Sequence, residues 1–107
     1  MKMIREIMSE SEFYDIINIK RLVVVEFYAE WCSVCKMQKP LLIDFYQDAK
    51  DKVEVVSEDV DLLPKIANEY SVCTIPLSAL FVNGKVERKK SGLTSKGNLA
   101  EMVIKYV

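Results

Sequence analysis

The stretch VVVEFYAEWCSVCK, residues 23–36, sets a carboxylate inside an apolar, β-branched run and follows it closely with a tryptophan and two cysteines. β-Branched residues fit a pleated surface, and a run this continuously apolar suits a strand covered on both faces rather than one wet on one side. A central strand is therefore predicted over Leu22–Ala29. Glu26 is the anomaly in it, because an unpaired ionised carboxylate taken out of water costs several kcal/mol or neutralises itself instead. Two readings are open: a partly hydrated residue that the strand tolerates, or an acid with a task.

Working outward, the spacing predicts a helix over Ser33–Lys50, with Pro40 placed to kink it because proline forfeits a backbone donor. A second buried strand is expected over Val53–Val60, then a short helix over Pro64–Tyr70 opened by its proline. LSALFV and KVERKK flank Asn83-Gly84, a strong hairpin signal. A last helix over Thr94–Val107 carries Leu99, Met102, Val103 and Tyr106 on one face. Upstream, a short strand is expected over Met3–Ile7. Ser9 and Glu12 have capping-box spacing ahead of an amphipathic helix with Phe13, Ile16, Ile17 and Lys20. The order β-α-β-α-β-α-β-β-α implies an α/β fold, a mixed sheet of four to five strands with helices on both faces.

With 107 residues and no repeat or linker to divide them, residues 1–107 are expected to form one domain. Fifteen Lys and Arg against sixteen Asp and Glu, a net charge of −1 and a pI near 5.5, offer no general attraction to nucleic acid or anionic lipid. The opening MKMIREIMSE is interrupted by charge and lacks the apolar core of a signal peptide, and no apolar run approaches membrane-spanning length, so a cytoplasmic location is expected. Three cysteines are too few for a secreted disulfide scaffold. Histidine is absent, which removes the usual neutral-pH base and the commonest metal ligand.

The chemistry concentrates in WCSVCK. Cys32 and Cys35, three apart at a strand-to-helix junction, share one helical face within reach of a disulfide. Free N–H groups and the helix dipole favour a thiolate at the first cysteine, with Lys36 adding to the effect, while the second is expected to be less exposed. Such a thiolate can attack a disulfide, and the second thiol can resolve the mixed disulfide that results.

These residues resemble the thioredoxin family over nearly the whole chain. VEFYAEWCSVCK stands where the family has its strand, tryptophan and C-x-x-C. Pro40 matches its helix-kinking proline, and DVD with Pro64 matches the segment after its third strand. CTIPLSALFVNGKV matches the active-site proline and hairpin, and SGLTSKGNL the glycine and last helix. The resemblance implies the thioredoxin fold, with Cys32 as nucleophile, Cys35 as resolving thiol and Trp31 in the docking surface. It also implies that Pro76 is cis, that the Ile75 backbone pairs with an extended substrate, and that Gly92 lets it approach. Val34 and Leu93 complete the apolar rim of that groove. Glu26 occupies the position of the family's buried aspartate, thought to exchange a proton with the resolving cysteine, and burial would raise its pKa toward the range useful for proton transfer.

The departures are specific. Ser33 and Val34 replace the usual Gly-Pro, which bears on redox poise. Leu77 replaces a threonine, making the groove more apolar, and Tyr28 takes a common tryptophan position that packing can absorb. Ser57 replaces the lysine that commonly accompanies the buried acid, so Glu26 is expected to lose its cation and keep only a hydrogen bond from Ser57. Cys73, three residues before Pro76, reads equally as a small core residue and as a redox-sensitive or chain-linking thiol.

The function expected is a dithiol-disulfide oxidoreductase acting on protein disulfides, recharged by a separate reductase of the thioredoxin reductase type. No metal, flavin or nicotinamide is expected, since no nucleotide fingerprint is present. A monomer is expected, with a Cys73-linked dimer as a variant. The alternatives are a glutaredoxin-like or isomerase-like protein, or an inter-chain zinc or iron–sulfur site built from two C-x-x-C motifs. A further one is a redox-silent module that binds through Trp31, Val34, Ile75 and Leu93.

Overall fold

The computed structural model describes residues 4–107. The elements run β1 (Arg5–Ile7), α1 (Glu10–Ile19), β2 (Leu22–Tyr28), α2 (Ser33–Ala49), β3 (Glu54–Asp59), α3 (Pro64–Glu69), β4 (Leu77–Val82), β5 (Lys85–Ser91) and α4 (Lys96–Ile104). This is the predicted order, with most ends trimmed by one to three residues where chain caps and turns take over. Met3, expected in the first strand, lies outside the described residues.

The five strands form one sheet in the order β1-β3-β2-β4-β5. β2 sits at its centre, parallel to β3 and antiparallel to β4, which is why its apolar run is buried on both faces. Alternation along β2 divides the interior in two. Val23, Val25 and Phe27 pack with Phe13, Ile16 and Ile17 of α1 and Ile66 of α3. Leu22 and Val24 pack with Leu42 and Phe45 of α2 and Leu99 and Met102 of α4. Glu26 falls on the second of these faces, toward α2.

Local rules account for most boundaries. Ser9 caps α1 by accepting the Glu12 N–H at 3.1 Å, while Glu12 reaches back to the Met8 N–H rather than to that of Ser9. Pro40 lies inside α2, which continues past it to Ala49. The hairpin turns on Asn83 and Gly84, both at positive φ (51° and 84°), as a two-residue turn of this kind requires. A register shift between Leu80 and Phe81 marks a bulge opposite, at Glu87. β5 leaves the outer edge lined with Lys85, Arg88, Lys89 and Lys90, charges that discourage pairing with another chain. α4 begins later than predicted because Ser95 is its cap, accepting the Asn98 N–H at 3.1 Å.

Candidate active site

The chain leaves β2 at Tyr28, turns through Ala29 to Trp31, and enters α2 with Cys32 as the N-cap. In that position the Cys32 sulfur accepts the backbone N–H of Cys35 at 3.2 Å. A donor otherwise orphaned at the helix start is thereby aimed at the first thiol, where it stabilises negative charge. Both thiols are free and buried, at 7% and 6% exposure. The expected difference in exposure is therefore absent. The asymmetry lies in chemistry instead: burial, then the hydrogen bond with Cys32, push the Cys35 thiol up to about 12, against a backbone hydrogen bond at Ala29.

Around the pair, Ile75 packs against Ala29, Cys32 and Cys35. The Ile75–Pro76 peptide is cis, as the resemblance implies, and Pro76 is buried. The Pro76 carbonyl accepts the Gly92 N–H at 2.8 Å, which sets the Gly92–Leu93 loop beside the proline. Gly92 has φ of +83° with open space where a Cβ would stand, so glycine is needed there for its backbone. Trp31, Val34 and Leu93 are exposed, at 71%, 41% and 47%. Trp31 and Val34 stand on either side of the first thiol in the chain, and Leu93 follows Gly92. The indole of Trp31 is held by its N–H to Asp61 Oδ2 at 2.8 Å. Asp61 was legible only as part of DVD, because nothing in the sequence pairs it with position 31. Cys73 is exposed, which leaves the reading as a core side chain without support.

Glu26 is buried, at 4% exposure, and its partners differ from those expected. It faces Ser57 across β3 and Ser78 across β4. Ser78 is the donor, to Oε1 at 3.1 Å, whereas Ser57 turns to Glu6 Oε1 at 2.8 Å. Nor does the acid lack a cation, since the charge of Lys39 on α2 acts on it. Lys39 also lies over the Tyr28 ring, 5.5 Å from its centre, and the Tyr28 hydroxyl donates to Glu6 Oε2 at 2.6 Å. Oε2 of Glu26 has no partner among the described residues. Burial outweighs Ser78 and Lys39, pushing the carboxyl up to about 8. A cavity of about 210 Å³ joins Glu26 to Cys35, with Tyr28, Lys39, Leu42 and Ser57 in its walls. Its lining is mainly apolar, but Glu26, Lys39 and Ser57 contribute polar groups to it, and it is roomy enough to hold water between acid and thiol.

Among the described residues no group of three or more His, Cys, Asp or Glu could hold a metal ion, and no helix is long and apolar enough to cross a membrane.

Comparison with known proteins agrees with this geometry. The thioredoxin family model matches residues 5–105. The chain is similar to the thioredoxin of Rickettsia typhi, 39% identical over 79% of this chain and 81% of that one. It is also similar to the thioredoxin of Rickettsia conorii, 31% identical over 98% and 100%. Mitochondrial thioredoxin 3 of Saccharomyces cerevisiae, in its oxidised form, superposes with a TM-score of 0.87 at 31% identity, covering 95% of this chain and 94% of that one. With a dithiol at the head of α2, a cis proline beside it and this match along the chain, the protein belongs to the thioredoxin family of thiol-disulfide oxidoreductases.

Proposed function

We propose that the protein reduces protein disulfides through a mixed disulfide, with Cys32 as nucleophile, Cys35 as resolving thiol and Glu26 as the proton acceptor behind it. The observation that carries this is the asymmetry of the pair: the Cys32 sulfur receives the Cys35 N–H at 3.2 Å, while the Cys35 thiol is held protonated. Cys32 attacks one sulfur of the substrate, forming a Cys32–substrate disulfide and releasing the other sulfur as a thiolate. Once Glu26 has lost its own proton, as it does when pH rises through its raised pKa of about 8, Cys35 gives up its proton toward the carboxylate across the cavity and attacks Cys32. The Cys32–Cys35 disulfide forms, and the second substrate thiol leaves. Two electrons have passed to the substrate, and a separate reductase of the thioredoxin reductase type returns them by protein contact.

In this reading Trp31, Val34, Ile75, Pro76, Gly92 and Leu93 bind an extended substrate, its backbone pairing at Ile75. Residues 1–107 act as one domain in the cytoplasm, as a monomer, without metal, flavin or nicotinamide. Cys73, exposed near Pro76, is where oxidation would link two copies. The test is a pair of substitutions assayed on insulin: Cys32→Ser should abolish reduction, and Cys35→Ser should accumulate a mixed disulfide that is stable until a thiol is added. Equal turnover by Cys32→Ser and the native protein would remove Cys32 as nucleophile.

A further inference from the structure

Gln38 is a primary amide in a position that α2 turns wholly inward, at 0% exposure. It follows Cys35 by three residues, so the two lie on one face of the helix. Both ends of its amide are used, and both on the same residue: Nε2 donates to the Thr94 carbonyl at 2.9 Å, and Oε1 accepts the Thr94 N–H at 2.7 Å. The side chain thus serves Thr94 as a neighbouring strand would, in the stretch between β5 and α4 where the sheet no longer can. Thr94 is itself buried, so neither backbone group has ready access to water.

The segment so held is the one that carries Gly92 and Leu93. It is tied at Gly92 N–H to the Pro76 carbonyl at 2.8 Å. The Thr94 hydroxyl also closes on the Gly92 carbonyl at 3.1 Å. Those bonds fix the loop to the cis-proline turn and to itself. The Gln38 pair reaches instead to the helix that carries both cysteines.

We propose that Gln38 is a positioning residue, whose paired hydrogen bonds to the Thr94 backbone hold the Gly92–Leu93 wall of the substrate groove in fixed relation to the dithiol. This rests on the reading of Gly92 and Leu93 as substrate-binding residues. An apolar side chain of similar length fills the same space but leaves a buried N–H and carbonyl without partners, and these recover hydrogen bonds only if the loop moves outward to water. The effect should then fall on substrates that span the groove and spare those that touch only Cys32.

The test compares Gln38→Met with the native protein on insulin and on cystamine, a disulfide too small to span the groove, together with hydrogen exchange at the Thr94 amide. Thr94 exchange should accelerate and KM for insulin should rise about tenfold, the scale set by losing one or two buried hydrogen bonds. Turnover at saturating insulin and the rate with cystamine should stay within about twofold, since the thiol chemistry is untouched. Unchanged insulin KM despite faster Thr94 exchange would overturn the proposal, as would an equal loss on both substrates. Should Gln38→Met fail to fold, Gln38→Glu retains the acceptor for the Thr94 N–H but, once ionised, cannot donate to the carbonyl. Its insulin KM, relative to native, should climb with pH, and a native KM at every pH would overturn the proposal. Full activity of Cys32→Ser on cystamine would overturn the dithiol reading itself, and this inference with it.

Discussion

At position 26 the carboxyl meets a hydroxyl, a cation and a cavity: Ser78 at 3.1 Å, the charge of Lys39, and the space that opens to Cys35. With its pKa raised to about 8 from the ordinary value near 4.5, Glu26 carries a proton in the folded chain at a pH where the unfolded chain has lost it. The folded state therefore binds more protons. Its stability is unaffected below the unfolded value, falls as pH rises from there, and has lost the full amount above the folded value. Glu26→Gln cannot ionise, so in urea unfolding it should gain over the native protein on going from pH 5 to pH 8, by about 1–3 kcal/mol. The same variant should resolve the mixed disulfide more slowly, with a flatter pH profile, read by stopped-flow exchange between about pH 6 and 9. No change in either quantity would leave Glu26 a bystander. That position 26 is unusual could be read from VVVEFY, since only composition is needed to see a charge in an apolar strand. Ser78 could not be found that way. It lies on a strand brought alongside by the fold, and a one-residue slip in register would turn its hydroxyl to the opposite face.

At the scale of one element, α2 does two things with Cys32. The residue begins the helix and, in the proposed mechanism, also bears the reactive sulfur. Cysteine is a weaker N-cap than serine, because sulfur accepts hydrogen bonds poorly. Cys32→Ser should therefore be inactive yet more stable than the native protein under reducing conditions, by about 0.5–1 kcal/mol in urea unfolding. A loss of stability would show that packing of the sulfur against Ala29 and Ile75 outweighs the cap. The start of this helix was legible because a C-x-x-C follows directly on the end of an apolar strand. The use of Gln38 was not, since a glutamine on a helix ordinarily faces water, and what turns it inward is a loop that follows it by more than fifty residues.

For the whole molecule the notable feature is Glu58, fully buried on β3 with neither carboxylate oxygen partnered among the described residues. Its register neighbours are Ile7 and Phe27, both members of the cluster beneath α1 and α3. Burial, then the nearby charge of Glu6, push it up to about 8. The sign is that of Glu26: the penalty to folding is absent in acid, grows above about pH 4.5 and is complete above the raised value. Global stability should therefore decline from pH 5 to pH 8. Glu58→Leu should remove a share of that decline, gaining about 1–3 kcal/mol more at pH 8 than at pH 5. An equal gain at both pH values would mean that the acid is already ionised or hydrated in the folded state.

Taken alone, the sequence determined the order of the elements, the centrality of the strand through Val25 and the site at Cys32 and Cys35. Each follows from short-range rules: side-chain period, capping residues, turn residues and the reach of an i, i+3 pair. The tertiary structure decided what those residues face. It gave Ser57 to Glu6 and Ser78 to Glu26, supplied Lys39 from a helix as the acid's cation, brought Asp61 to Trp31, and tied Gln38 to Thr94. It also buried Cys32 and Cys35 to nearly the same depth, where local reasoning expects a difference. The physical reason is common to all of them. A side chain's periodicity says which way it points, but the group it meets there belongs to another element, and only the register of strands and the packing of helices on the sheet set that meeting.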